Sequence, residues 1–370
     1  MSIIDRNVRA TELISLANKM ANTTTQGAWG SYDKTALCTI AHISDLHNDA
    51  TRYQNFLQYV KAVTEIDHVF ETGDLVDTPI AGQYTAMYAK ETAENFSPYK
   101  VVGNHEKYAG GEYMADADIY TSLHMDTSTG KLYYYVDDIT YNIRFIVLDQ
   151  YEIDESKYKL EHISQTQIDW FISALQGAIT AGYDVIVAMH ACESGGSFPD
   201  KKSTASSASV YDANGNALAG ASFYQRFAQW KGMTDLQNVC SGTPIEDIVN
   251  AFKNGTSVSK TYTFSDTSSS ISVSASFATA GTFIAYMVGH VHGDFIGCSS
   301  VHPDQTYLAV CSGNPAYGNV GDLQRKAGEF SEDAFNVYVI DQTHRLIKVI
   351  RVGANVNDIL EERIMALYAY

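Results

Sequence analysis

Five short clusters of Asp, Asn and His side chains have the types and spacing to do chemistry. They are Ser44-Asp45-Leu46-His47, Gly73-Asp74-Leu75-Val76-Asp77, Gly103-Asn104-His105-Glu106, the single His190, and Gly289-His290-Val291-His292. Carboxylate, carboxamide and imidazole donors form the oxygen and nitrogen ligand set of a borderline or hard divalent metal. Cysteine is absent from the clusters, except for Cys192 beside His190. Each cluster alone is compatible with a solvated loop or a turn. Their order and shared donor chemistry single them out. The chain has 11 histidines. Those outside the clusters, His42, His68, His124, His162, His302 and His344, read as structural or solvated.

The elements that must position these clusters follow from periodicity. Residues 37–43 (LCTIAHI) form an apolar run that suits a buried strand. The pattern then predicts a helix over 53–63, a strand over 67–71, a helix over 83–94 and a strand over 99–102. Strands over 132–136 and 143–148, a helix over 166–175 and a strand over 184–189 follow. Strand, helix, strand in repetition argues an α/β sheet covered by helices. All five clusters then fall at the C-terminal ends of strands, the edge where open α/β sheets bind ligands. Gly73, Gly103 and Gly289 are expected to let the chain turn sharply there.

The character changes after Ala191. Residues 193–221 are rich in Ser, Gly, Ala and Asn. A short helix over 244–252 and a Ser/Thr-rich hairpin over 260–277 come next. Segment 193–282 therefore reads as an insertion or cap, with Phe223, Tyr224, Phe227 and Trp230 needing a surface to pack on. Strands resume over 284–288, 307–311, 335–340 and 346–352. The expected organisation is an N-terminal helix and loop over 1–36, a main domain over 37–192 and 283–352, the insertion, and a C-terminal segment over 353–370. The N-terminal helix spans 5–20.

Composition bounds the partners. The 370 residues are 45% hydrophobic and 18% charged, which is globular usage, and only 6 are proline. A net charge of −18 repels a phosphate backbone, so nucleic acid is disfavoured as a partner unless a bound cation reverses the local field. The 5 cysteines form no C-x-x-C pair, which suits reduced thiols in a cytoplasmic protein. Asp5, Arg6, Arg9, Glu12 and Lys19 interrupt any signal-peptide core. No stretch approaches the ~20 apolar residues that span a bilayer, so no membrane partner is expected.

The ordered set Asp45-x-His47, Gly73-Asp74-x-x-Asp77, Gly103-Asn104-His105-Glu106, His190 and Gly289-His290-x-His292 resembles the calcineurin-like metallophosphoesterases, over about 37–191 and 283–352. The resemblance implies a four-layer α/β/β/α sandwich, with two sheets inside, helices outside and the 193–282 segment as an inserted subdomain. It implies two metal ions, Mn, Fe or Zn. One is then held by Asp45, His47, Asp74 and His292, the other by Asp74, Asn104, His190 and His290, with Asp74 and a hydroxide bridging. His105 is placed over the phosphoryl group, where it stabilises charge or protonates the leaving oxygen. Asp77 orients a histidine, His105 foremost, and Glu106 stands where Asp is often found. Such a pair of ions clamps an in-line displacement at phosphorus and lowers the pKa of a bridging water. It also lets Asp45, Asp74 and Asp77 sit beside an anion.

The implied activity is hydrolysis of a small phosphomonoester or phosphodiester. A nuclease of the same family is the alternative, and the net charge and lack of basic runs count against it. A non-catalytic metal-binding structural protein, including a phage-associated one, is the other; the Ser/Gly/Asn-rich insertion and the 25 tyrosines suggest it. Lys107, Lys201 and Lys202 are expected to be solvated. Oligomeric state has no signature in the sequence.

Overall fold

The structure is a computed structural model. It describes residues 37–154, 159–194, 209–211, 240–265, 267–292, 295–310, 312–316, 325, 332–343, 345–353 and 365–369. The expected helix over 5–20, the aromatics Phe223 to Trp230, and Lys201 and Lys202 lie outside these residues.

In chain order the first half contains β1 (Leu37–Ile43), α1 (Ala50–Ala62), β2 (His68–Glu71), α2 (Ala81–Glu94), β3 (Tyr99–Lys100), α3 (Asn104–Lys107), β4 (Tyr108–Ala109), β5 (Glu112–Tyr113) and α4 (Asp116–Ser122). Then come β6 (Tyr134–Asp138), β7 (Ile143–Val147), β8 (Glu152–Asp154), β9 (Lys159–His162), α5 (Gln165–Ala181) and β10 (Asp184–Ala188). The remainder holds β11 (Ser209–Tyr211), α6 (Pro244–Asn254), β12 (Ser257–Thr263), β13 (Ser270–Ser276) and β14 (Phe283–Val288). It closes with β15 (Phe295–Cys298), β16 (Thr306–Ala309), β17 (Ala334–Asp341), β18 (Leu346–Gly353) and β19 (Met365–Ala369).

Two large sheets result. The first has the order β11-β19-β18-β17-β1-β2-β3 and the second β15-β16-β14-β10-β7-β6. β1 is parallel to β2 and antiparallel to β17, while β10 is parallel to both β7 and β14. Strand alternation sends side chains to opposite faces, and here both faces are apolar. From β1, Ala41 and Ile43 join one core with Phe56 and Leu57 of α1 and Met87 of α2. Cys38 and Ile40 of the same strand face the other way, against Phe145, Ile186 and Met287 of the second sheet. β10 repeats the pattern, with Ile186 and Ala188 toward the first sheet and Val185 and Val187 toward α5. The layers are therefore helices, sheet, sheet, helices.

The caps explain where the helices stop. The Asp49 side chain accepts from the N–H groups of Thr51 and Arg52 at the start of α1. α5 begins at Ser164, whose hydroxyl accepts from Gln167 N, and ends at Gly182 with φ 77°. It runs six residues beyond the expected end because Ala178 continues the buried stripe.

Residues 240–282 do not pack apart from the main body. Ile245, Ile248 and Phe252 of α6 and Tyr262, Ile271 and Val273 of the β12–β13 hairpin share one core with Ile168 and Phe171 of α5. The outward hairpin face is Ser and Thr. Among the described residues no helix is long and apolar enough to cross a membrane.

Candidate metal centre

The loops after β1 and β2 are zipped together by backbone hydrogen bonds. Asp45 N donates to Gly73 O at 2.9 Å, His47 N to Asp74 O at 2.8 Å and Asn48 N to Leu75 O at 2.9 Å. Gly289 N donates to His190 O at 2.8 Å, which ties the loops after β10 and β14 in the same way. Strand order thus brings the clusters to one edge of both sheets.

The backbone there is unusual. Asp45, His47, Asp74, His290 and His292 all hold positive φ, between 42° and 65°. Such a conformation disfavours residues with a Cβ, and its clustering marks functional sites. Gly73, at φ 97°, needs the turning freedom expected of it. Gly103 and Gly289 do not; they give room. A Cβ on Gly103 would lie 2.3 Å from Asp74 Oδ1, and one on Gly289 would lie 1.8 Å from Ser44 Oγ and 2.6 Å from Asp45 Oδ2.

Two donor groups result, and they share Asp74. Asp45, His47, Asp74 and His292 each place one donor atom within 4.8 Å of the others, and so do Asp74, His190 and His290. His47 Nε2 and His292 Nε2 are 3.1 Å apart, and His292 Nε2 is 3.3 Å from Asp45 Oδ1. His190 Nε2 is 3.2 Å from Asp74 Oδ2 and 3.2 Å from His290 Nδ1. The other nitrogen of His190 faces Thr72 O at 2.7 Å, which aims Nε2 at Asp74. Asn104 opens α3, and its buried Oδ1 has no hydrogen-bonding partner.

His105 and Asp77 stand beside this array. The imidazole Nδ1 of His105 donates to the backbone carbonyl of Asp77 at 2.7 Å. The Asp77 carboxylate is nearer His47, 3.5 Å from its Nδ1, than His105, at 4.0 Å.

The charges explain why the array favours cations. Burial raises the Asp45 carboxyl, but the His292 and His190 imidazoles outweigh it and hold the group down at about 2. Asp74 is likewise held well below the carboxylate range, by His190 first, against burial. Burial disfavours a charged His190, yet Asp74 and Asp45 push it up to about 10. At His47 burial wins and lowers the imidazole. Donors this close are neutralised by protons or by metal ions that displace them. Oxygen and nitrogen donors, a carboxylate common to both groups and the orphaned Asn104 Oδ1 fit a pair of such ions.

One supporting residue was underestimated from sequence. Glu106 is no simple replacement for Asp. It is fully buried, and its Oε2 accepts from Asp74 N at 2.8 Å and Gly103 N at 2.7 Å while Oε1 accepts from Val76 N at 3.0 Å. It clamps two donor loops. Burial, with Asp74 nearby, pushes its carboxyl up to about 7. The expectation for Lys107 fails outright. Its Nζ is buried between Asp116 Oδ1 at 2.6 Å and Asp149 Oδ2 at 2.7 Å, because only paired carboxylates offset the cost of burying an ammonium.

With this geometry in view, residues 38–206 match the family described as calcineurin-like phosphoesterase. The matched span ends before His290, so the fold, through the contact of His290 N with Asp45, carries the fifth cluster to the other four. A solved structure similar to this chain is a dimetal phosphatase from Danio rerio. It is 11% identical, with 85% of this chain and 96% of that chain covered and a TM-score of 0.51. A conserved uncharacterized protein of Streptococcus pneumoniae TIGR4 is also similar, at 11% identity, 89% and 98% coverage and a TM-score of 0.28. None of the curated proteins matches the chain. The fold is the layered sandwich that the sequence motifs implied.

Proposed function

We propose that this phosphoesterase hydrolyses a small phosphate monoester or diester at a binuclear centre. Asp45, His47, Asp74 and His292 hold one ion, and Asp74, Asn104, His190 and His290 the other. Mn, Fe and Zn all suit such donors. The observation that carries the proposal is the Asp74 carboxylate, whose atoms serve both donor groups. When bound, two ions supply an activated water and a clamp on the phosphoryl oxygens.

The chain's own residues do the rest. Thr72 O fixes the tautomer of His190, and Glu106 holds the loops that carry Asp74 and Asn104. His105 has 28% of its side chain exposed and is aimed by Asp77 O, so it can meet a substrate. Asp74 and burial act in opposite directions on its imidazole, and the carboxylate prevails, raising it above the ordinary value. A group so placed can stabilise phosphoryl charge or protonate a leaving oxygen.

The cover expected of segment 193–282 rests mainly on residues 195–208 and 212–239, which lie outside the described residues. Glu193 accepts from Ile245 N at 2.9 Å and Ser194 N donates to Glu246 at 3.0 Å, so the chain leaves and returns at one place. Cys192 and Cys240 are free thiols, which supports a reducing, cytoplasmic setting.

The test is hydrolysis of an aryl phosphate and a bis-aryl phosphate after chelation and reloading with Mn²⁺. Turnover that disappears with chelator, returns with Mn²⁺ and is lost in Asp74→Ala is expected. Turnover unaffected by Asp74→Ala contradicts the proposal.

A further inference from the structure

The edge of the sheets opposite the phosphoesterase centre holds a second convergence of metal donors, of different chemistry. Cys38 is the second residue of β1 and His68 the first of β2, and Ile40 lies opposite His68 in the parallel pairing. Residues two apart share a face. Cys38, Ile40, His68 and Phe70 are therefore turned toward the second sheet, where the Phe145 ring packs at a tilt against both His68 and Phe70. Asp138 closes β6 in that second sheet. One sulfur, one imidazole nitrogen and one carboxylate oxygen from these three residues lie within 4.8 Å of one another.

The site is built. Asp138 Oδ1 accepts from Thr140 N at 2.7 Å and Tyr141 N at 3.1 Å, which fixes the carboxylate and leaves Oδ2 to face His68 Nε2 at 2.5 Å. Cys38 is fully buried, while the His68 and Asp138 side chains keep 12% and 8% exposure. An ion has an approach past those two, and aromatic rings close the other side. A His–Asp pair is enough to tie two sheets together, and it has no need of a thiol. Sulfur, nitrogen and oxygen donors from three side chains form the set that selects a thiophilic, tetrahedral ion rather than the hard ions that oxygen sites prefer.

We propose that Cys38, His68 and Asp138 bind one thiophilic divalent ion, zinc foremost, which joins the two sheets at the edge remote from the phosphoesterase centre. Bonds of about 2.0–2.3 Å in a tetrahedron separate donor atoms by roughly 3.3–3.8 Å, with the nitrogen–oxygen pair at the short end. His68 and Asp138 must therefore part by roughly 0.8 Å when the ion enters. The Cys38 thiol loses its proton to solvent as the metal–sulfur bond forms. The fourth position goes to water or to Asp67, whose Oδ1 faces the Tyr141 hydroxyl at 3.4 Å. The ion is structural, and it does not depend on the function proposed above.

The experiment is titration of the metal-stripped full chain with Co²⁺ alone. A thiolate-to-cobalt charge-transfer band in the near ultraviolet is expected, because the phosphoesterase centre has only oxygen and nitrogen donors and yields none. Cys38→Ser should abolish the band and lower bound cobalt by one ion per chain. It should leave Mn²⁺-dependent hydrolysis intact. His68→Gln and Asp138→Asn, read in parallel in case Cys38→Ser does not fold, should each weaken cobalt binding at this band at least about tenfold. A parent chain without the band at saturation overturns the proposal. So does a band that persists in Cys38→Ser, or one unmoved by both His68→Gln and Asp138→Asn.

Discussion

The backbone N–H of His290 donates to both carboxylate oxygens of Asp45, at 3.1 and 3.0 Å, across 245 positions of sequence. In the proposed centre Asp45 therefore has two tasks, to hold an ion and to anchor the loop that delivers His290 and His292. His290→Ala removes only a donor side chain, whereas Asp45→Ala also strands a partly buried N–H, at a cost of at most about 1–3 kcal/mol. Both variants should lose bound metal and hydrolysis. In metal-stripped protein Asp45→Ala should melt lower than His290→Ala, as read by calorimetry. Equal melting temperatures would remove the anchoring role.

Gly289→Ala should damage the centre without altering a ligand. The new methyl meets Ser44 Oγ and Asp45 Oδ2, and it cannot be accommodated without moving the first donor loop. Overpacking of this sort costs about 1–3 kcal/mol. Lower stability together with weaker metal binding is expected by calorimetry and metal titration. Parent-like metal affinity would mean that the loop yields freely.

His105→Ala should keep both ions and lose about 10²–10⁴-fold in kcat, the usual worth of a positioned acid or base. The loss should shrink for aryl esters whose leaving groups need no proton. A loss uniform across leaving groups would assign His105 to charge stabilisation alone.

Much of this was legible in the sequence because it rests on local pattern. β1 shows as an unbroken apolar run, which follows from burial on both faces. The clusters are visible because each is a few residues long and sits just after such a run. What depends on distant contacts was not legible. Glu106 gains its role from the N–H groups of Asp74 and Val76 in another loop. Lys107 is defined by Asp149, 42 positions away. The Ser/Thr alternation of β12 and β13 signals a surface hairpin, but nothing in it names Ile168 and Phe171 as the partners of its buried face. Cys38 and His68 look like ordinary core residues until Asp138 is placed beside them.

Stability should fall as pH rises through the range set by Glu152. Burial, with the Asp149 carboxylate nearby, pushes Glu152 up to about 7 from an ordinary 4.5. The folded state then binds more protons than the unfolded chain between those values. The contribution is present below about 4.5 and is lost as pH rises through about 7. The residue accepts from Ser164 N and Ser164 Oγ, away from the donor array, so Glu152→Gln tests it without touching the ions. Chemical unfolding between pH 4.5 and 7 should show a smaller slope in Glu152→Gln than in the parent. An unchanged slope would place the titrating group elsewhere.

The most direct test of the central claim is anomalous scattering from crystals of protein purified without chelator, measured at the absorption edges of Mn, Fe and Zn. Two peaks about 3.5–4 Å apart, with the Asp74 carboxylate between them, are expected. One should lie among Asp45, His47 and His292 and the other among Asn104, His190 and His290. A single peak, or two peaks that do not share Asp74, would contradict the binuclear centre.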